Sequence, residues 1–539
     1  MSHSELLLIN GNVLTMSRPN TRAEAVAVRD GRIVSVGLLK EVAKSLGKEA
    51  RVLDLQGKTL VPGFIDVHNH MMLYGLSLAE VDCRAPPVRS ISEMVKRIRA
   101  RARDERRGSW VRAFGYSQFA VEEKRHPNRG DLDEATSEHP VVLRHFSFHA
   151  AVLNTAALAL CGITRDTPDP PGGTIVRSPA TREPTGLLLE RAQSLLDRTA
   201  PPPQPPEMEK AVAEASRDFV KLGITSVQDP GWVSHETTTY LRAYQETERH
   251  GDLLVRVGVM VNGEMLDRFL HGRSDALSGD GLVTVGPVKL FADGVVNLRT
   301  AAMTEPYSDL HDQRGLLVTD KDELSRRVMK ANDAGLQVAV HAIGDGAVDA
   351  TLDAFEESSK NSQRGLRPRL IHAVILRPDQ IVRTKKLGAV VDVQPIFLKA
   401  LGNQFSLAVG PERSKLILPF RTLMTWGISL GGGSDAPCTD LSPLSGIAQS
   451  MGRFTSSGGV HEPEQGVSAE DGLRMYTSMA AYNCGEEALK GSIEPGKLAD
   501  FALLNANPLD TIAEEMWKIT VDMTIVGGRV VYEHDRSER

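Results

Sequence analysis

Between about residues 61 and 484 the chain alternates short apolar runs with longer segments of helical pattern, such as 206–223 and 320–335. Several of the apolar runs end in a polar or charged residue followed by a loop, as in "FIDVHNH" at 64–70. Near-continuous apolar runs of this length are typical of parallel strands buried on both faces. They predict an α/β fold, a distorted (β/α)8 TIM barrel, whose active site lies at the carboxyl ends of the strands. The eight predicted strands are residues 64–70, 140–149, 223–229, 287–294, 336–344, 368–376, 389–397 and 428–437.

Two long segments do not fit a bare barrel. Residues 80–140 and 150–205 exceed the usual length of a connection between secondary-structure elements. The second ends in the proline-rich sequence "TAPPPQPPEMEK", which indicates a stiff linker before the next helix. We assign residues 61–484 to the barrel and expect the insertion at about 80–205 to form a lid over its mouth.

Both ends of the chain are rich in strand patterns. The N-terminal sequences "ELLLINGNVLTM" and "AEAVAVRDGRIVSVG" contain Asn-Gly and Asp-Gly turn signals. Near the C-terminus, "VDMTIVGGRVVYE" is interrupted at Gly527 and Gly528. We therefore predict a small β-sandwich domain built from residues 1–60 together with residues 485–539.

The composition argues against several kinds of partner. The 539 residues are 41% apolar and 24% charged, as in ordinary globular proteins. A net charge of −6 disfavours nucleic-acid binding, and no stretch approaches the roughly 18 to 20 apolar residues of a membrane span. The four cysteines are widely spaced, which disfavours a disulfide framework and fits a reducing compartment. We expect a cytoplasmic protein that acts on a small-molecule substrate.

Metal-ligating side chains stand at the ends of five predicted strands. His68 and His70 are two residues apart, so both side chains leave the first strand on the same face. Imidazole and carboxylate are good ligands of Zn²⁺, and a catalytic zinc site keeps one position for water. A carboxylate beside that water, here Asp435, could take its proton and pass it to a leaving group. The residues expected to converge in the barrel mouth are His68, His70, Lys289, His341, His372 and Asp435.

Each of these residues also has a plain structural interpretation. A single strand-end histidine is more often a hydrogen-bonding residue than a ligand, and the "GGGSDAP" segment around Asp435 has the composition of a turn. Asp345 could serve only as a helix N-cap, and Lys289 could simply pair with Asp293. Six such residues on five strands are harder to explain in this way, which favours a metal site.

Lys289 requires separate chemistry, because a free ammonium group donates hydrogen bonds and cannot bind a cation. Burial and neighbouring cations lower the pKa of a lysine. A neutral lysine can react with CO₂ to give a carbamate, whose oxygens could bridge two metal ions. The site could therefore hold one or two ions, Zn²⁺ or another divalent metal.

The chain resembles the amidohydrolase superfamily over essentially its whole length. The resemblance is carried by "LVPGFIDVHNH", by "GSIEPGKLADFALLNANPL" and by the order His-x-His, Lys, His, His, Asp. Other segments, including "VKLFADGVVNLRTAAMTEPY" and "VHAIGDGAVDATLDAFE", resemble the YtcJ-like branch, which includes N-substituted formamide deformylases. The resemblance implies that the six residues named above form a binuclear metal site with carbamylated Lys289, and that Asp435 is also the catalytic acid and base.

The resemblance also implies roles for residues around the metal site. His149 lies where this branch usually has a Gly-His-Ala-type motif, and we predict that it contacts the substrate or the oxyanion. Ser147, Phe148 and Val152 depart from the usual pattern of the branch, and we expect these positions to line the pocket. The predicted substrate-binding residues are Phe148, Glu190, Asp293 and Tyr307.

The predicted function is that of a metal-dependent hydrolase of non-peptide C–N bonds. It would be an amidase, or a hydrolase of N-acyl or N-formyl amides, that uses metal-activated hydroxide. A deaminase, or a lactone or carbamate hydrolase with the same site, is an alternative. A non-catalytic metal-binding homologue is another, although a complete ligand set argues against it. The resemblance further implies a homodimer.

Overall fold

An eight-stranded parallel sheet forms the centre of the molecule. The computed structural model describes residues 5–17, 19, 21–231, 237–272, 281–361 and 365–534. The sheet is rolled into a nearly closed barrel, which confirms the predicted (β/α)8 architecture. In chain order, the barrel strands are Phe64–Asp66, Ile224–Asp229, Arg256–Asn262, Val283–Phe291, Val338–Ala342, Arg369–His372, Val390–Val393 and Leu430–Gly432.

The prediction of residues 140–149 as a barrel strand is wrong. Val141–His145 pairs in parallel with Val111–Tyr116, in a separate sheet. The third place in the barrel belongs instead to Arg256–Asn262, which the sequence pattern did not reveal. An apolar run is buried equally well in either sheet, so its composition could not show which sheet it joins.

Helices surround the barrel and bury one face against it. In helix Pro205–Lys221, the side chains of Met208, Val212 and Phe219 recur at helical spacing and are buried. A proline at the start of this helix has a backbone already suited to the first turn. The helices of this part of the chain, as far as the structure describes it, are Met71–Ser77, Pro205–Lys221, Thr237–His250, Leu266–His271, Lys321–Asp333, Asp345–Asn361, Pro378–Lys386, Phe397–Ser414, Phe420–Thr425, Pro443–Gly452, Ala469–Met475 and Ser478–Asn483. None of the helices in the described residues is long and apolar enough to cross a membrane.

The two ends of the chain form two further sheets that share one core, in agreement with the predicted sandwich. Leu8 and Val28 of one sheet and Phe501 and Ile525 of the other belong to the same buried cluster. In sheet order, the first sheet contains Arg32–Gly37, Ala25–Arg29, Glu5–Ile9 and Arg51–Asp54. The second contains Arg529–Glu533, Val521–Val526, Phe501–Leu504, Thr59–Pro62, Asn12–Leu14 and Arg22–Ala23, and thus combines both chain ends.

The segment between the first two barrel strands forms a six-stranded sheet with its own core. Successive residues Val142 and Leu143 point into different buried clusters on its two faces, as expected of a strand. In sheet order its strands are Gly173–Arg177, Pro184–Glu190, Ala150–Leu153, Val141–His145, Val111–Tyr116 and Val81–Asp82. Its helices are Ile91–Asp104, Arg129–Asp133, Thr155–Leu160 and Ser194–Asp197. The turn between Val141–His145 and Ala150–Leu153 brings Phe148 and His149 to the barrel mouth.

Candidate metal centre and substrate pocket

The first and last barrel strands meet at a seam where several of the predicted ligands lie. The backbone N–H of Asp435 donates to the carbonyl of His68 at 2.8 Å. The buried carboxylate of Asp66 accepts hydrogen bonds from the Ser434 hydroxyl at 2.6 Å, from the His68 N–H at 3.1 Å and from the Asn69 amide at 3.1 Å. These bonds hold the loop after the first strand against the loop after the eighth, so that residues far apart in sequence share one site.

His68, His70 and Asp435 form a compact group. The Oδ1 atom of Asp435 lies 3.3 Å from Nε2 of His68 and 3.3 Å from Nε2 of His70. One candidate ligand atom from each residue lies within 4.8 Å of the other two. Nδ1 of His70 donates to the carbonyl of Gly231 at 3.0 Å, which orients the ring with Nε2 towards Asp435. Two imidazoles and a carboxylate are a donor set suited to a divalent metal.

His341 and His372 extend this group onto two neighbouring strands. The ring centroid of His372 lies 5.0 Å from that of His68 and 4.6 Å from that of His341. Nε2 of His341 donates to the Gly294 carbonyl at 3.0 Å, and Nδ1 of His372 donates to the Gln394 amide oxygen at 2.6 Å. Burial lowers the pKa of His341, and it lowers the pKa of His372 to about 3. Both rings are therefore neutral and keep one nitrogen available for a metal.

Lys289 lies on the fourth barrel strand with its ammonium group buried. Among the described residues its Nζ atom has no hydrogen-bond partner, and it lies 4.7 Å from the centroid of the Phe291 ring. Burial, assisted by the positive charge of Arg369, lowers the pKa of Lys289 to about 7. A substantial fraction of neutral amine is thus available near neutral pH, as carbamate formation requires.

These residues fit a bound metal. Burial raises the pKa of Asp435, but the adjacent His68 and His70 side chains outweigh this effect and keep the pKa well below its usual range. The residue is therefore a carboxylate, the form that binds cations. Nδ1 of His68 and Nζ of Lys289 are buried without hydrogen-bond partners within the described part of the chain. Buried polar atoms are rarely left without partners, so the arrangement is one that a further group would complete.

His149 enters the site from the insertion sheet and is held by Glu190. Its Nδ1 atom lies 2.6 Å from Oε2 of Glu190, and the other oxygen of Glu190 accepts a hydrogen bond from Thr300 at 2.6 Å. The ring centroid of His149 is 5.4 Å from that of His341. Burial opposes protonation of His149, but the negative charge of Glu190 outweighs it and raises the pKa of His149. The pair therefore presents a hydrogen-bond donor to the barrel mouth.

A cavity of about 440 Å³ opens above these residues and is lined by all six predicted metal ligands, by His149 and by Glu190. This volume lies within the range of about 300 to 1,000 Å³ that is common for small-molecule sites. Most of the exposed wall is apolar, and its phenylalanines are Phe146, Phe148, Phe291, Phe397 and Phe405. The cavity can accept a small molecule whose reacting group lies at the histidines and whose substituent contacts apolar side chains.

Comparison with known proteins places this architecture in a family. Residues 51–532 match the amidohydrolase family. The chain belongs to this family.

The chain is 32% identical to YtcJ of Bacillus subtilis, which is named as an amidohydrolase, over 97% of this chain and 98% of that protein. It is also 32% identical to the N-substituted formamide deformylase of Arthrobacter pascens, over 99% of each chain. A solved structure of an uncharacterized metal-dependent hydrolase from Pyrococcus horikoshii is similar with a TM-score of 0.78 at 29% identity, over 95% of this chain and 99% of that one. The predicted resemblance is confirmed, and the protein is a hydrolase of this family.

The remaining predicted substrate residues of this amidohydrolase lie in different surroundings. The carboxylate of Asp293 borders the cavity, but it accepts hydrogen bonds from the backbone N–H groups of Ala302, Ile343 and Gly344. Asp293 thus organises loops around His341 and does not pair with Lys289. Tyr307 is fully buried, its hydroxyl donates to the carbonyl of Ala301 at 2.6 Å, and it does not line the cavity. The geometry gives Tyr307 a packing role.

Sequence reasoning overlooked Asp66, which connects the two ligand loops of this amidohydrolase. A signal was present, because a carboxylate inside the apolar run "FIDV" is costly to bury without several donors. Gln394 was also overlooked, although its amide oxygen fixes the ring of His372. No pattern in the sequence indicates that contact, since the two residues lie on adjacent strands and meet only in the folded barrel.

Proposed function

We propose that this amidohydrolase is a metal-dependent hydrolase of non-peptide C–N bonds and that it acts on an amide, N-acyl or N-formyl compound. The observation that carries the proposal is the position of Asp435. Its Oδ1 lies 3.3 Å from Nε2 of both His68 and His70, beside a cavity large enough for a small molecule. The similarity to a protein named N-substituted formamide deformylase supports the choice of bond.

Zn²⁺, or another divalent metal, is the proposed cofactor, in one or two positions. His68, His70 and Asp435 would hold one ion, and His341 and His372 would hold a second. Lys289, converted to its carbamate by CO₂, would supply oxygen ligands between them. When bound, such an ion acidifies water and polarises a carbonyl group.

Asp435 and His149 carry the proposed proton transfers and charge stabilisation. The carboxylate of Asp435 accepts a proton from the attacking water and later delivers it to the nitrogen of the leaving amine. His149 is oriented through Nδ1 by Glu190, which leaves Nε2 to donate a hydrogen bond to the oxygen on which negative charge develops. The phenylalanines of the cavity wall limit the access of bulk water to these groups.

The Asp435→Asn variant tests this function. The amide cannot accept the proton, so kcat on a good amide substrate should fall by at least about 10²-fold. Steady-state kinetics and metal analysis of the purified proteins separate loss of proton transfer from loss of metal. Near-full turnover by Asp435→Asn would contradict the proposal.

A matched control comes from the same loop. Asp440 is exposed to solvent, and Asp440→Asn should retain the activity of the parent protein. Identification of the products decides the type of bond. Release of an amine with a carboxylate supports an amidase, whereas release of ammonia would indicate a deaminase and conversion of a lactone to a single hydroxy acid would indicate a lactone hydrolase.

A further inference from the structure

A second cavity, of about 1070 Å³, lies next to the catalytic cavity. It is bordered by helix Met71–Ser77, by the proline-rich segment 201–205 and by residues of the insertion sheet. The residues that line both cavities are Leu73, Phe148 and Asp197. At this wall a single layer of side chains separates the two spaces.

Among the residues that the structure describes, Phe148 is the only aromatic side chain that lines both cavities, and several contacts hold it in place. Its ring stacks on Phe114 with 4.6 Å between centroids and 22° between planes. Its N–H donates to the carbonyl of His145 at 3.0 Å, and its carbonyl accepts from Gln193 Nε2 at 2.8 Å. Its φ of 59° is unusual for a bulky residue, and such backbone conformations are concentrated at functional sites. The ring is thus a fixed partition.

The two cavities differ in chemical character. The wall of the catalytic cavity is mostly apolar and includes five phenylalanines, whereas the second cavity has a more polar surface, with Arg101, Arg112 and Arg144 together with acidic residues that include Glu80 and Glu207. A substituent that passed the partition would therefore cross an apolar wall and end among groups that donate and accept hydrogen bonds.

We propose that Phe148 limits the length of the N-substituent that this enzyme accepts, because its ring closes the catalytic cavity off from the second cavity, whose polar lining suits the polar distal end of a longer substituent. The inference rests on the proposed function, because it assigns the substituent of the same substrate. With Phe148 in place, the catalytic cavity selects short substituents. Removal of the ring joins the two cavities and admits long ones.

The test compares N-(2-hydroxyethyl)formamide with N-(8-hydroxyoctyl)formamide as substrates of the parent protein and of Phe148→Ala. The ratio of kcat/KM for the long compound to that for the short one should rise at least about tenfold in Phe148→Ala, since pocket discrimination of this size is common for differences of a few methylenes. Phe148→Trp should lower the ratio, because the partition is enlarged.

Phe146→Ala is the matched control, because Phe146 comes from the same turn but lines only the catalytic cavity. A similar rise in the ratio in Phe146→Ala and Phe148→Ala would overturn the inference. If none of the proteins hydrolyses either compound, the proposed formamide chemistry fails. The affinities of each protein for the long and the short compound are then compared instead, as Kd values measured by calorimetry. A Phe148→Ala protein that does not bind the long compound, or that shows no relative gain for it, would then overturn the inference.

Discussion

At the scale of single residues, the contact between His149 and Glu190 sets the charge of a side chain that faces the reacting group. Nδ1 of His149 and Oε2 of Glu190 are 2.6 Å apart, and Thr300 fixes the second oxygen of the carboxylate. Because Glu190 raises the pKa of His149, the protonated, donating form of the imidazole persists to higher pH than it otherwise would. In the proposed mechanism Glu190 is a positioning residue that acts through His149.

We expect Glu190→Gln to lower kcat by on the order of tenfold, because a neutral amide stabilises the protonated imidazole less than a carboxylate does. The pKa of His149 falls in this variant, so the alkaline limb of the kcat profile that reports this group should move to lower pH. Kinetics as a function of pH measure both effects. The control is Glu183→Gln, at a half-exposed carboxylate just before the same strand. An unchanged pH profile in Glu190→Gln would show that the contact does not serve catalysis.

At the scale of elements, the loops after the first and eighth barrel strands are joined by one carboxylate. Asp66 accepts hydrogen bonds from His68 N–H, from Asn69 Nδ2 and from both the N–H and the hydroxyl of Ser434. All of these groups are buried, so none of the donors can exchange its partner for water.

Asp66→Asn should lower the free energy of unfolding by about 2 to 3 kcal/mol. The NH2 group of the asparagine replaces one carboxylate oxygen and cannot accept the hydrogen bonds that this oxygen accepts. The metal content of the purified variant should fall as well, since the loops that carry His68 and Asp435 lose their common partner. Thermal denaturation and elemental analysis measure the two effects. Asp54→Asn, at the exposed end of strand Arg51–Asp54, should match the parent protein in both. A variant as stable and as metal-loaded as the parent would refute this role for Asp66.

The strand ends that carry the candidate ligands could be predicted from the sequence, but the sheet that each strand joins could not. Lys289, His341 and His372 each lie within or at the end of an apolar run, and the structure places all three beside the cavity. Arg256–Asn262 begins with a charged residue and ends without a candidate ligand, so nothing marked it as a barrel strand. Residues 140–149 have the pattern of the barrel strands, an apolar run that ends in a polar residue, and yet they join the insertion sheet.

His149 nevertheless reaches the site, from a turn of the insertion sheet and not from the end of a barrel strand. Its partner Glu190 is 41 residues further along the chain. The two residues are cross-strand neighbours in the insertion sheet, where the backbone N–H of Glu190 donates to the carbonyl of His149 at 2.9 Å. That their turn reaches the barrel mouth depends on how the insertion sheet is placed against the barrel, which residue patterns along one chain do not encode. For the same reason the wall formed by Phe148 could be seen only in the structure.

At the scale of the whole molecule, the site joins the beginning of the barrel to its end. The backbone N–H of Val67 donates to the carbonyl of Gly432 at 3.2 Å, and that of His70 donates to the carbonyl of Ala436 at 3.0 Å. A metal bound by His68, His70 and Asp435 would add a further link across the same seam. It would bind the folded chain and not the unfolded one, and would therefore stabilise the fold.

Removal of metal by a chelator should lower the Tm by a few degrees, and added Zn²⁺ should restore it. At a free metal concentration about 100 times Kd, the expected stabilisation is about 2.7 kcal/mol. Differential scanning calorimetry with and without chelator measures the change. Asp435→Asn, which lacks one of the shared ligands, should respond less to the chelator. Equal responses in the two proteins would argue against a metal at this seam.

The seam also constrains how such a sequence can diverge. The segments that close the barrel, residues 66–70 and 432–436, are the same segments that carry three of the candidate ligands. Substitutions in these segments are selected both for their effect on the chemistry and for their effect on the closure of the barrel. Phe148, the proposed determinant of substrate preference, lies outside these segments, in a turn of the insertion sheet, and that sheet has its own core. Descendants of such a chain can therefore change what they hydrolyse by altering the insertion while they inherit the reaction centre unchanged.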